Sequence, residues 1–313
     1  MSSLLVKSPG LLTTVQDLGR PGFGPIGVSP AGAADSVALR IANLLVGNEP
    51  GAAALEMTLL GGTYLFPNGA VIALGGADMG ATLNGHPIDL WVPYSAPSGA
   101  ELVLGATKNY ARAYLAVAGG IQVPVFLGSA STHLLSDTGG HLGRALRKGD
   151  LLEIGQPQQR IRQHRVSPSV LVSLKPRKVL RVTNGPQADQ FSADVREAFT
   201  RQVFRVTEES DRLGLRLEGS PIPSPSAAHM ITEPVSLGAI QITPSGQAII
   251  LGVDQQTTGG YPKIANVIGV DLHRVGQLRP RAEIRFERTS FTVARALWIE
   301  QERLLNNPSQ LFV

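Results

Sequence analysis

The segment Asp254-Gln-Gln-Thr-Thr-Gly-Gly-Tyr-Pro-Lys263 is the richest polar stretch of the chain, and it follows the apolar run Ala248–Gly252 directly. Its residue types suit the polarisation of an amide or a carboxylate. Gly259 and Gly260 let backbone N–H groups approach an anion or a carbonyl, Gln256, Thr257 and Thr258 supply neutral hydrogen bonds, Tyr261 offers a ring with a polar tip, and Lys263 a cation. An ordinary turn with a Thr-Thr-Gly-Gly tip would explain the glycines but hardly the whole mixture, and composition alone leaves both readings open. A second polar loop runs from Thr13 to Gly22. There Asp17 and Arg20 sit three apart around Gly19, a spacing that serves a turn-stabilising ion pair as readily as a substrate contact, with structure the favoured reading.

Other motifs are weaker. Gly22-Phe-Gly-Pro-Ile-Gly27 fits G-x-G-x-x-G, but Pro21 and Pro25 stiffen the loop, the next helix pattern starts some eight residues later, and no βαβ alternation follows. Dinucleotide binding is therefore not expected. No Walker loop and no G-x-S-x-G elbow occur, and the six histidines show no metal-ligand spacing. Ser129, Ser131, His133 and Asp137 fall within nine residues, yet such clusters more often serve turns than a triad. The absence of cysteine excludes disulfides, thiolate metal sites and a cysteine nucleophile.

The elements that must carry these loops are short. With 35 Gly and 22 Pro against 16 aromatic residues in 313, the chain favours many brief strands over long helices. Strands are expected at Val71–Leu74, Glu101–Leu104, Ala113–Val117, Ile240–Ile242, Ala248–Gly252 and Ala282–Phe286. A helix capped by Asp35 carries Val37, Ile41, Leu44 and Leu45 at helical spacing up to Gly47. Further helices are expected from Ser192 to about Phe204 and from about Phe291 to Leu305. On the latter, an apolar strip of Leu297, Leu304 and Leu305 is expected to pack on its own domain. A faint internal repeat relates Gly99-Ala-Glu-Leu-Val-Leu104 to Arg281-Ala-Glu-Ile-Arg-Phe286, each following a Leu-Gly pair by some 25 to 30 residues.

Charge marks the boundary. Residues 1–153 carry 8 basic and 10 acidic side chains and residues 189–313 carry 13 and 14, whereas residues 154–188 carry 7 basic and no acidic ones. The whole excess behind the net charge of +4 thus lies between Arg160 and Arg181, in a proline-punctuated stretch with the composition of a connector. A solvated linker is preferred there over a docking surface for an acidic partner, and nucleic-acid binding is not expected. Two domains, 1–168 and 169–313, follow from chain length and this boundary. The N-terminus lacks the apolar run of a signal peptide, and the most apolar segment, Tyr114 to Gly128, is broken by glycines and a proline. The expected location is the cytoplasm, with no membrane association.

At its two polar loops the chain resembles the family of the 5-oxoprolinase C component, also described as KipA-like or allophanate hydrolase subunit 2 proteins and related to the carboxyltransferase part of urea carboxylase. The strings that carry the likeness are TTVQDLGRPGFGPIGVSPAGAAD (Thr13 to Asp35), ALRIANLLVGN (Ala38 to Asn48), AYLAVAGGI (Ala113 to Ile121), SDRLGLRLEG (Ser210 to Gly219), GAIQ (Gly238 to Gln241) and QTTGGYPKIA (Gln256 to Ala265). The resemblance implies a mainly β fold of two cyclophilin-like β-barrel domains with a few short helices. It also implies partners, a KipI-like B component and a 5-oxoprolinase A component, with which family members open 5-oxoproline to glutamate at the expense of ATP. ATP as a co-substrate makes chemical sense for so stable an amide, since phosphorylating the amide oxygen gives a better electrophile. Urea carboxylase relatives handle carboxylated biotin; this chain has no Met-Lys-Met acceptor, so no biotin is expected on it.

Carried onto this sequence, the resemblance makes Gln256 to Lys263 the wall of the active cleft. Lys263 would be the cation for phosphate or carboxylate, Gln256, Thr257 and Thr258 the amide and oxyanion contacts, and Tyr261 a stacking wall. Asp254, Gly259 and Gly260, with Asp17 and Arg20 of the other loop, would contact substrate. Many relatives carry Arg where this chain has Gln255, so no charge-based role carries over there. The leading expectation is the C component of an ATP-hydrolysing 5-oxoprolinase, active only in its complex. The rivals are a component of a biotin-dependent carboxyltransferase or an allophanate hydrolase, and a non-catalytic regulator that sequesters a KipI-like kinase inhibitor.

Overall fold

A computed structural model describes residues 2–157, 159, 164–175, 177–225 and 230–313. The chain forms two units, Met1–Arg20 with Ala31–Leu174 and Leu304–Val313, and Pro21–Pro30 with Lys175–Arg303. A linear division at 168/169 assigns residues 21–30, 169–174 and 304–313 to the opposite halves. The architecture is mainly β with a few short helices, as expected. Among the described residues no helix is long and apolar enough to cross a membrane.

In the first unit a seven-stranded and a five-stranded sheet enclose a core that includes Leu4, Val6, Leu55, Met57, Phe66, Leu74, Leu102 and Leu115. The strand Arg112–Val117 is buried along its whole length because both of its faces are covered. Ala113, Leu115 and Val117 join that core, while Tyr114 and Ala116 face the helix Ser36–Leu45 on the other side. Asp35 caps this helix, its Oδ1 accepting from the Ala38 N–H at 2.8 Å. Glu56, almost fully buried, accepts from the Tyr114 hydroxyl at 2.7 Å and the Ala34 N–H at 2.9 Å, which ties the segment before the helix to the sheet.

The second unit is a closed barrel of seven strands, in the order Val179–Asn184, Lys263–Val267, Ala239–Ile242, Ala248–Leu251, Gly214–Glu218, Phe204–Val206 and Glu283–Arg288. Every pairing is antiparallel except the closing one, where Val179–Asn184 runs parallel to Glu283–Arg288. Alternate residues fill the interior, among them Leu180, Val182, Leu215, Leu217, Ile240, Ile242, Ile250, Ile284 and Phe286. Phe199, Phe204 and Phe286 form an aromatic cluster with centroids 4.7 to 5.6 Å apart, through which the helix Ala193–Arg201 packs on the barrel.

Several expectations change. The acid-free stretch holds a helix, Pro168–Leu174, and the first barrel strand, so it is more than a connector; its Arg160, Arg162 and Pro176 lie outside the described residues. Arg181 in that strand grips Asp271 with Nε and Nη2 at 2.9 and 2.7 Å, an acid supplied from 90 residues away that local composition could not reveal. The helix from Ser192 stops at Arg201, because Gln202 turns extended and Phe204 is needed in the barrel core. The helix Phe291–Leu305 forms as expected, yet Leu305 and Leu304 pack with Val166, Val170 and Leu311 of the first unit instead of on the barrel. The two repeat strings both begin at a residue with positive φ, Gly99 at 76° and Arg281 at 68°, one and two residues ahead of a strand.

His273 lies buried beside Asp271 and Arg274, where desolvation, reinforced by the Arg274 charge, pushes its pKa down to about 4. The fold therefore favours the neutral imidazole. Stability linked to His273 is fully present above its unfolded pKa of about 6.5 and is lost as pH falls towards 4, at up to about 1.4 kcal/mol per pH unit. Chemical unfolding across that window should show the decline, and His273→Gln should flatten it.

Candidate functional site

Barrel order decides where the polar loop lies. The strands Ala248–Leu251 and Lys263–Val267, which the loop connects, are not neighbours: Ala239–Ile242 stands between them. The connection must therefore pass across that middle strand, and Gln241, pointing outward from it, is buried. Gly259 marks the crossing. A Cβ built there would stand 2.4 Å from Gln241 Nε2, so any side chain would push the buried Gln241 amide from its place. Gly260 has room by comparison, with its nearest neighbour, Thr232 Oγ1, at 3.4 Å.

The loop is anchored at its start by a sealed ion pair. Asp254 receives Arg212 Nε at 2.7 Å and Nη2 at 2.9 Å, with both residues buried, and its own N–H donates to the Arg212 carbonyl at 3.0 Å. Asp254 was expected at the cleft entrance as a substrate contact; the geometry gives it a fastening role instead. Thr258–Gly259 then pairs with Glu233–Pro234 as a two-residue ribbon. The Val235 N–H donates to the Thr257 carbonyl at 3.1 Å, and Gln255 Nε2 to the Val235 carbonyl at 3.3 Å. The uncharged side chain at 255 thus holds the ribbon to the loop.

Gln256, Thr258 and Tyr261 come together, lining a cleft of about 240 Å³ with Gln241, Arg216, Asp211 and Glu209. Its walls offer amide and hydroxyl hydrogen bonds, a half-exposed phenol ring and one guanidinium. Thr257 is half-buried and does not line it. A larger hollow of about 460 Å³ on the same barrel, bordered by Glu208, Glu218 and Gln247, contains none of the loop residues.

Lys263 departs most from expectation. It is 2% exposed, and its ammonium meets Glu233 Oε1 at 2.7 Å. Gln187 fixes the arrangement: its Oε1 accepts from the Lys263 N–H at 3.1 Å, its own N–H reaches the Lys263 carbonyl at 3.3 Å, and its Nε2 donates to the same Glu233 oxygen at 2.8 Å. The hydrogen bond from Lys263, then that from Gln187, hold the Glu233 carboxyl below its ordinary pKa. Lys263 is thus not a free cation at the surface of the cleft. It stays connected to the cleft through Gln241, its register partner.

Asp17 and Arg20 are in the first unit. The Asp17 carboxylate accepts from the Gly19 N–H at 2.7 Å, the Ala130 N–H at 2.6 Å and the Ser129 hydroxyl at 2.6 Å, and also from the Ser131 hydroxyl. Arg20, 2% exposed, donates to the Phe126 and Ser131 carbonyls and lies over the Phe126 ring, 5.5 Å from its centroid. Together they pin residues 126–131 to the loop, in keeping with the structural reading and not with substrate contact. Ser129 and Ser131, read as turn residues, are buried donors to Asp17; His133 instead bonds Ser136 at 2.6 Å, so no triad forms. The G-x-G-x-x-G string heads a three-residue 3-10 turn, Gly24–Ile26, with open space around all three glycines.

Sequence reasoning missed Arg212, Glu233, Gln187 and Gln241 as parts of this site. Arg212 and Gln241 stand within two of the strings quoted above, and their types would have flagged them as partners for Asp254 and the loop. Glu233 and Gln187 carried no local signal, since each meets Lys263 only through the fold. Gly259→Ala should destabilise the chain by about 1 to 3 kcal/mol through overpacking, whereas Gly260→Ala should leave the melting temperature nearly unchanged. Calorimetry of the two variants side by side checks the crossing.

The family described as "Carboxyltransferase domain, subdomain A and B" matches residues 26–288. The chain is 37% identical over 302 residues to the C component of 5-oxoprolinase from Escherichia coli, covering 96% of each. It is also 37% identical to urea amidolyase of Lachancea kluyveri over 95% of this chain but only 17% of that protein. Among solved structures, the K. lactis urea amidolyase aligns with a TM-score of 0.89 at 34% identity, over 97% of this chain and 20% of that one.

Proposed function

Since the chain belongs to the carboxyltransferase domain, subdomain A and B, family, we propose that it serves as the C component of an ATP-dependent 5-oxoprolinase, a hydrolase of a cyclic amide. The observation that carries this reading is end-to-end correspondence: 96% of this chain matches 96% of the Escherichia coli protein, whereas the amidolyases contain the same unit as a small part of a far longer chain. Small-amide chemistry suits the cleft. Gln241, Gln256 and Thr258 offer both donors and acceptors for a lactam C=O and N–H, and Tyr261 walls one side.

ATP is a co-substrate of such a complex, but this chain does not fit it. The Gly22–Gly27 loop heads only a three-residue 3-10 turn, not the N-terminus of a helix that could face a phosphate. We assign nucleotide binding to a partner, a KipI-like B component or an A component, with this chain holding the amide. The cytoplasm is the compartment consistent with such an assembly. A second reading, a carboxyltransferase component taking carboxybiotin from another chain, draws on the 0.89 TM-score with the amidolyase.

The test is ATP hydrolysis and glutamate release by this chain mixed with its candidate A and B components, omitting each in turn. Turnover should need all three and 5-oxoproline. Gln256→Ala and Thr258→Val should each lower kcat/KM about 10- to 100-fold with complex formation intact. If no mixture consumes 5-oxoproline, the reading is wrong; turnover of urea or carboxybiotin would then establish the second reading, and tight binding of the KipI-like component without any turnover a regulator.

A further inference from the structure

Two ion pairs flank the polar loop, and they differ in one respect. In Arg212–Asp254 both side chains are about 5% exposed; in Lys263–Glu233 the lysine is 2% exposed and the glutamate 38%. A buried ammonium must keep a counter-charge, since leaving it unpaired is strongly destabilising. Its partner here, however, reaches solvent. Glu233 can leave towards water, while Lys263 has nowhere to go.

The rest of the arrangement looks built to receive a carboxylate. Gln187 clamps the Lys263 backbone through both its N–H and its carbonyl, which fixes where the buried side chain leaves the strand. Lys263 Nζ and Gln187 Nε2 converge on a single oxygen, Glu233 Oε1, at 2.7 and 2.8 Å. The strand that carries Glu233 is two residues long, is paired among the described residues only with Thr258–Gly259, and lies two residues after Ile231, which is 86% exposed. The site also adjoins the cleft: Gln241 lines it and is the register partner of Lys263, and Thr258 lines it from the ribbon itself.

We propose that Glu233 is an internal carboxylate seated in an anion site formed by Lys263 and Gln187, and that a carboxylate-bearing ligand of the cleft takes its place. The exchange keeps the local charge constant, one carboxylate for another, so the buried ammonium is never left unpaired. A neutral amide of the same size cannot make this exchange. The site thus selects for an acid group on the ligand, and the ribbon carrying Glu233 shifts when the ligand binds. That the ligand is 5-oxoproline rests on the function proposed above; the site itself does not.

Binding to the full-length chain, followed by NMR titration, tests this with three probes: acetate, 5-oxoproline, and 2-pyrrolidone, which is the same lactam without its carboxylate. Glu233→Gln keeps the shape and removes the competing charge. It should tighten acetate and 5-oxoproline about tenfold relative to wild type, leave 2-pyrrolidone unchanged, and lose the whole gain when Lys263→Met is added. Glu233→Asp, whose carboxylate is shorter, should give an intermediate gain and decides the matter if Glu233→Gln does not fold. Acetate affinity equal to or below wild type in the folded variant would overturn the proposal, as would equal gains for 2-pyrrolidone. Tightening of acetate without 5-oxoproline upholds the site and counts against 5-oxoproline as its ligand.

Discussion

Closure of the second barrel is the constraint on which the functional geometry depends. Its first strand, Val179–Asn184, pairs in parallel with its last, Glu283–Arg288, and no strand is left with a free edge to be satisfied elsewhere. Seven strands closed in this order separate Ala248–Leu251 from Lys263–Val267 by one intervening strand. The crossing of the polar loop, the burial of Gln241 and its close contact with Gly259 all follow from that arrangement. An open sheet of the same sequence could let the loop swing free; the closed one presses it against the wall.

Much of the secondary structure was legible because its signals are local. The Asp35 cap, the apolar stripe up to Leu45 and the alternating strands at Ala248–Leu251 and Glu283–Arg288 all depend on residues a few positions apart. Legibility ended where partners lie far off in sequence. Arg181 looked like linker charge because Asp271 is 90 positions away, and the helix at Ser192 seemed longer because nothing near Phe204 announces its place in the barrel core. The same holds at the site. The loop Asp254–Lys263 stood out by composition, but its roles did not: Asp254 and Lys263, the two charges that drew attention, are both committed to ion pairs, while the neutral Gln256, Thr258 and Tyr261 line the cleft.

That division of labour bears on how one fold can sit within both a urea amidolyase and a component of 5-oxoprolinase. Charges locked in pairs fasten the loop, and neutral side chains of the loop line the cleft, so the scaffold can stay constant while the cleft lining varies. The lysine is the intermediate case, buried like a structural group yet paired with a residue that reaches water. Such a cation contributes little to the surface field, and under the proposed exchange it would offer a full charge to an incoming acid.

The way the chain is threaded also sets the order in which it can be completed. Neither unit is contiguous: the barrel waits for Glu283–Arg288 to meet a strand made a hundred residues earlier, and the first unit incorporates Leu305 and Leu311, the latter fully buried. During synthesis, which runs from the N-terminus, the unit that begins first therefore finishes last. Its early strands must remain soluble with part of their apolar surface uncovered until Leu305 and Leu311 have been made. Arrival of Leu304–Val313, more than the making of any single strand, completes the first unit.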